Sequence, residues 1–152
     1  MVEADVDDIE SLTHAFRDAY AIFAVTDYWG PMYDQLSYGK LRLGQTINEY
    51  CYELEIRRGM NIADAAARID TLERFVFSSL PGIKSIADGK YQHVYHFDAK
   101  AEIALYIQEN LPRLNAKMSQ LLLGEYTTNW RMWRLRRPNK VGYMSYSLSF
   151  RD

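Results

Sequence analysis

The sequence predicts an α/β fold built on a parallel sheet, and three observations carry that expectation. Segments of strand character alternate with segments of helical periodicity. The run Tyr20-Ala21-Ile22-Phe23-Ala24-Val25 is apolar throughout and of strand length, the pattern of a strand covered on both faces. A second apolar run, Phe75-Val76-Phe77, follows only after a long helical stretch.

The elements follow in order. Val2 to Ala4 reads as the tail of a strand. Asp5-Val6-Asp7-Asp8 then opens a helix, with Asp7 or Asp8 as its cap and acids suited to the positive end of the helix dipole. Ile9, Leu12, Ala15 and Phe16 recur at helical spacing. After the Tyr20–Val25 strand, Thr26 to Pro31 reads as a loop from its Gly-Pro signal, and residues 32–45 as polar and irregular. A long helix is expected from Thr46 to about Ala67, burying Ile47, Tyr50, Cys51, Leu54, Ile62, Ala65 and Ala66. The Phe75–Phe77 strand ends in Ser78-Ser79-Leu80-Pro81-Gly82, and a loop runs on to Val94. Phe97 to Glu109 is helical, and Pro112 marks its end. Met118 to Leu123 reads as a further strand, closed by Gly124. Beyond it, Trp130 to Arg137 reads as a short helix and Tyr143 to Phe150 as a strand. In such sheets ligands sit beyond the carboxyl ends of the strands, so Thr26–Trp29, Ser78–Gly82 and Gly124–Asn129 are expected to gather at one edge.

Bulk properties narrow the classes. The chain has 152 residues, 48% hydrophobic and 25% charged, enough for one globular core. A net charge of -2 gives no global attraction to nucleic acid or to an anionic membrane. One cysteine, Cys51, precludes an internal disulfide framework and fits a reducing compartment. No apolar run approaches the roughly 20 residues of a membrane helix, and Met1 to Asp5 has neither the basic nor the apolar region of a signal peptide. A cytoplasmic or nucleocytoplasmic location is expected.

Lys100 is the most informative single residue. On its helix it shares a face with Phe97, Ile103, Ala104 and Ile107. An ammonium on an apolar stripe either finds a buried partner or snorkels to water. His96 lies one turn earlier on the same face. Ser78 and Ser79 end a strand, where a hydroxyl can bind a substrate carbonyl or a ribose, or can simply cap a turn. Thr26, Asp27 and Tyr28 allow the same two readings. His93, His96 and Asp98 are too few for a zinc site with the only cysteine distant, so no metal is expected. The Trp130–Arg137 segment is basic and aromatic and can stack on bases, but reads better as a solvated surface. No glycine-rich phosphate loop and no nucleophile elbow occur in the sequence.

Five stretches in order resemble the NmrA-like family of atypical short-chain dehydrogenases, with wording closest to fungal members. They are Glu3–Asp8, Ala21–Trp29, Gly59–Ala65, Arg74–Leu80 and His96–Glu102. The resemblance runs from residue 1 to about residue 130. It implies a Rossmann-type parallel sheet of three to four strands with flanking helices, covering residues 1–130, and a divergent tail over residues 131–152. It implies NAD(P), usually NADP, with Asp5 and Val6 against the adenine. Thr26, Asp27, Tyr28 and Arg57 would line the cofactor, Lys100 would bind the nicotinamide ribose, and Tyr126 and Asn129 would close the nicotinamide end. The catalytic tyrosine of ordinary short-chain dehydrogenases lies four residues before the lysine, where this chain has His96. Tyr95 is one residue out of register, about 100° round a helix.

The family's first strand, glycine-rich turn, first helix and second strand are missing from these residues, as is its C-terminal substrate region. The expectation is a piece of a longer protein or a shortened paralogue, with NADP binding weak or lost. The short Val2–Ala4 strand is expected to pair with Ala21–Val25, ahead of Phe75–Ser78 and Met118–Leu123; the alternative is that this edge of the sheet stays open. The expected function is an NmrA-like oxidoreductase of fungal specialised metabolism acting on an unknown small molecule, through Lys100, Ser79 and His96. The alternatives are a non-catalytic NADP-sensing module with protein partners, or a degenerate paralogue without ligand. Self-association through an exposed sheet edge is also expected; nucleic acid and membrane are not.

Overall fold

A computed structural model describes residues 2–123. Its elements are α1 (Ile9–Ala15), β1 (Ala21–Ala24), α2 (Trp29–Tyr33), α3 (Gln35–Tyr38), α4 (Ile47–Ala67), β2 (Arg74–Ser79), α5 (Ile83–Ile86), α6 (Tyr95–Asn110), α7 (Pro112–Asn115) and β3 (Met118–Leu122). The three strands form a parallel sheet in the order β1-β2-β3, with Phe23 beside Val76 and Val76 beside Ser119. With its flanking helices this is the α/β architecture that the alternation of elements predicts.

Helix α4 starts where its cap chemistry puts it. The Thr46 hydroxyl accepts from the Glu49 amide at 3.3 Å, and the Glu49 carboxylate accepts from the Thr46 amide at 2.8 Å, satisfying two donors reciprocally. Asp8 does the same for α1, accepting from the Glu10 and Ser11 amides. Pro112 opens α7 at a position where its missing N–H costs nothing.

The core lies on one face of the sheet. Ile22, Ala24, Phe75 and Phe77 pack against Ala63 and Ala66 of α4 and Ile103, Ala104 and Ile107 of α6. Fully burying Phe75 and Phe77 contributes about 1.5–3 kcal/mol each. Helices α4 and α6 approach closely because residue 59 is glycine. A Cβ there would stand 2.3 Å from Ile103 Cδ1.

Three expectations are corrected. Val2–Ala4 forms no strand and pairs with no strand among the described residues, within which β1 is an edge of the sheet. The residues that follow satisfy themselves locally: the Asp8 amide donates to the Asp5 carbonyl, the Asp7 amide to the Asp5 carboxylate, and the Asp5 amide to the Ser11 hydroxyl. A three-residue strand gains too little to compete with that turn. Second, the Tyr20–Val25 run is covered on one face only: Ile22 and Ala24 are buried, whereas Phe23 is 60% exposed. Third, the loops contain short helices. Asp27 Oδ1 accepts from the Trp29 and Gly30 amides at 2.9 and 3.0 Å, which starts α2, and Pro31 is tolerated in a first turn. Gln35–Tyr38 and Ile83–Ile86 are likewise helical. The expected helix at 130–137 and strand at 143–150 lie outside the described residues.

Candidate functional site

The carboxyl end of β1 delivers Thr26, that of β2 delivers Ser78 and Ser79, and α4 and α6 bring a carboxylate and an ammonium to the same place. Lys100 Nζ donates to Glu55 Oε1 at 2.7 Å and to both the carbonyl and the hydroxyl oxygen of Thr26 at 2.8 Å. The Thr26 hydroxyl in turn donates to Glu55 Oε1 at 2.6 Å. The Glu55 side chain is fully buried and that of Lys100 only 12% exposed. Lys100 therefore finds a buried partner instead of snorkelling. Glu55 was not singled out from the sequence. Its signal was there: it lies four residues after Cys51 and four before Gly59, an acid on an otherwise apolar stripe.

Ser79 is buried at 1% exposure, and its hydroxyl lies 3.5 Å from the Lys100 and Leu80 carbonyl oxygens. It faces the backbone of α6, so its contact with Lys100 is through the main chain. His96 sits at the rim. Its ring lies 5.0 Å from that of Trp29, 5.8 Å from that of Tyr28 and 4.7 Å from that of Phe97. Burial, and then the positive charge of Lys100, push its pKa below the usual histidine value, while Asp98 opposes the shift. The ring is therefore neutral at neutral pH and can accept a proton.

Asp27 is committed to starting α2, and Gly30 is required beside it, since a Cβ there would stand 2.2 Å from Asp27 Oδ2. Tyr28 is buried and its hydroxyl donates to Asn48 Oδ1 at 3.0 Å. Burial above all pushes the Tyr28 hydroxyl well above the usual tyrosine range. Cys51, on the same face of α4 as Glu55, is pushed up to about 11 by burial, with Asp27 and Glu55 adding to the shift. The thiol is held protonated, in keeping with a structural rather than a nucleophilic cysteine.

A second polar group lies around the middle of α4. Arg57 Nη2 meets Asp7 Oδ1 at 3.1 Å, and Arg58 Nη2 meets Asp7 Oδ2 at 2.8 Å. Asn61 Nδ2 donates to the Val6 carbonyl at 3.0 Å. Asp5, Val6 and Arg57 thus belong to the junction of the N-terminal turn with α4. Arg57 stands two residues, about 200°, round the helix from Glu55 and so points away from Lys100. Tyr126 and Asn129 lie outside the described residues.

Two open clefts accompany these groups. One of about 490 Å³ is lined by Gly82, Lys84, Asp88, Asp98, Glu102 and Leu105. It lies along the Asp98–Glu102–Leu105 face of α6, and Lys100 points round the helix from that face. The other, of about 400 Å³, is lined by Glu53, Arg57, Met60, Asn61, Asp64 and Tyr106. Neither has Lys100 in its wall. Among the described residues no group of His, Cys, Asp and Glu is arranged to hold a metal ion, and no helix is long and apolar enough to cross a membrane.

The model of the NmrA-like family matches residues 1–131, most of the chain, which therefore belongs to that family. Membership suggests an NAD(P)-binding function, oxidoreductase-like or regulatory.

Proposed function

We propose that this NmrA-like chain is an oxidoreductase-type protein using NADP, with a place in fungal specialised metabolism and an unidentified small molecule as substrate. The observation that supports the reading is the meeting of Thr26, His96, Lys100 and the end of β2 at the carboxyl edge of a parallel sheet, where dinucleotides bind in such folds. The fit to a dinucleotide is to its ribose and nicotinamide end: Lys100 would meet a ribose hydroxyl in exchange for one of its Thr26 contacts, and the Trp29 and His96 rings offer flat surfaces. Asp5, Val6, Asp27, Tyr28 and Arg57 keep the cofactor-lining places the resemblance assigns them, as part of the proposal; Tyr126 and Asn129 enter it from resemblance alone.

When bound, the dinucleotide supplies or takes the hydride. The chain's own part is to place it and to manage a proton. In the direction in which the dinucleotide takes the hydride, His96, neutral at neutral pH, would take the substrate's proton at a ring nitrogen. Ser79 supports Lys100 through the backbone of α6. No glycine-rich loop is present in these residues to hold the pyrophosphate on backbone N–H groups, so dinucleotide binding by the 152-residue chain is weak.

A second reading is a non-catalytic NADP-sensing module with protein partners. Lys100 favours it, because all three of its N–H groups already have protein acceptors. Self-association or a partner strand along β1, an edge among the described residues, fits either reading. Calorimetric titration with NADPH and NADH tests the proposal. Weak binding is expected, and Lys100→Ala should reduce it more than His93→Ala. Sub-micromolar affinity would contradict the weakness. Equal effects of the two substitutions would remove Lys100 from the site.

A further inference from the structure

Glu55 has no part in the site as the resemblance draws it, yet it is the most deeply buried charged side chain there. An ammonium has three N–H groups. In Lys100 one goes to Glu55 Oε1, one to the Thr26 carbonyl and one to the Thr26 hydroxyl, all at 2.7–2.8 Å. The Thr26 hydroxyl closes the ring by donating to the same carboxylate oxygen. Glu55 Oε2, also buried, has no hydrogen-bond donor from the described residues. The carboxylate is thus turned wholly towards Lys100 and Thr26 by one oxygen.

We propose that Glu55 is the positioning residue for Lys100. From α4 it holds the ammonium of α6 against the end of β1, and together with Thr26 it saturates that ammonium. A ligand hydroxyl then reaches Lys100 only by displacing a Thr26 contact, so Glu55 and Thr26 set how available the lysine is. The inference rests on the nucleotide-binding reading only for what the lysine is held ready to meet. The holding itself is independent of any ligand.

The test is residue-resolved amine labelling with acetic anhydride, read by peptide mass spectrometry on the 152-residue chain without nucleotide. Acylation needs the lone pair of the neutral amine, so the ammonium must lose a proton and turn out of its hydrogen bonds before it reacts. Lys100 should react roughly tenfold or more slowly than exposed Lys40. Lys117 is the internal control, because its Nζ is bonded to the Leu72 carbonyl far from Glu55 in sequence. Glu55→Gln should raise the Lys100 rate by roughly tenfold while leaving Lys117 unchanged. Thr26→Val, which removes only the hydroxyl, should raise Lys100 less, and Thr26→Ser should restore the wild-type rate. Equal acceleration of Lys100 and Lys117 would mean general loosening and would overturn the proposal. So would an unchanged Lys100 rate in folded Glu55→Gln. If Glu55→Gln does not fold, Glu55→Asp, which keeps the charge and shortens its reach, decides: a rise at Lys100 alone supports the positioning role, and no rise overturns it. Because no nucleotide is present, a failed NADPH titration leaves this result standing, and a failed labelling result leaves the titration standing.

Discussion

Glu55 and Arg57 are two residues apart on α4 and make ion pairs under opposite conditions. The Glu55–Lys100 pair has side-chain exposures of 0% and 12%, whereas the Arg57–Asp7 pair has 37% on the acid and 62% on the base. Helical geometry makes the difference: two positions turn a side chain from the core face to water. A buried pair has already given up hydration, so each charge depends on the other. An exposed pair keeps its water, and either partner can leave at little cost. One helix thus carries one ion pair held in the core and another held at its surface.

The largest break in that contrast comes from Glu55→Ala. Lys100 would keep its charge in a buried place with only Thr26 to meet it, and folding stability should fall by about 3–5 kcal/mol in urea titration. Replacing both Glu55 and Lys100 by Met should recover most of the loss. A single-variant loss below about 1 kcal/mol would show that the pair behaves like a solvated one.

Gly59 sharpens the comparison from the packing side. It lies four residues after Glu55 on the same face, and its missing side chain lets α6 come close enough for Lys100 to reach across. Gly59→Ala should cost about 1–3 kcal/mol by overpacking against Ile103, despite the gain of about 1 kcal/mol that alanine brings to a helix. Thermal unfolding would read it, and a net stabilisation would mean that Ile103 swings aside freely.

The smallest effect is expected at Asp7. The Arg58 hydrogen bond, above all, holds its carboxyl below the usual aspartate value, with Arg57 assisting and burial opposing. The folded pKa is therefore below the unfolded one. The stability this gives is complete above the unfolded value, about 3.9, and disappears as pH falls through the folded value. Asp7→Asn should cost no more than about 1 kcal/mol at pH 7. Wild type and variant should converge in acid, and added salt should shrink the gap. A difference that persists at low pH would place the effect in the turn and not in the charge.

The strands, the two long helices and Lys100 were legible because each rests on a local signal. Thr46 capped α4 as its type requires, and Pro112 fell at the start of α7 after α6 ended. Val2–Ala4 misled because strand character in three residues says nothing about pairing, while the aspartates behind it offered the backbone a local alternative. The Tyr20–Val25 run misled in a different way. Apolarity on both sides of a strand tells what each side could bury, and Phe23 has that capacity unused among the described residues. Glu55 was the costliest omission. A search for the partner that a lysine on an apolar stripe demands would have led to the acid on the apolar stripe of α4. The reach of that partner was not readable, because it depends on Gly59 bringing two helices together. Ser79 was picked out for its hydroxyl, and the buried contact it makes is with a carbonyl of α6.

The all-parallel sheet also governs how this chain must acquire its shape. Parallel neighbours cannot be joined by a tight hairpin, so Phe23 waits for Val76, about 50 residues later, before its first ladder bond can form. Closing so long a loop costs entropy that only α4 and α6 repay, once their apolar faces meet. The sheet is therefore a late product of helix docking, and high contact order should make folding slow for a domain of this size. During that interval the Ala21–Ala24 segment lacks β2, its strand neighbour among the described residues. The time spent there, more than the stability of the finished molecule, sets how readily two unfinished chains find each other.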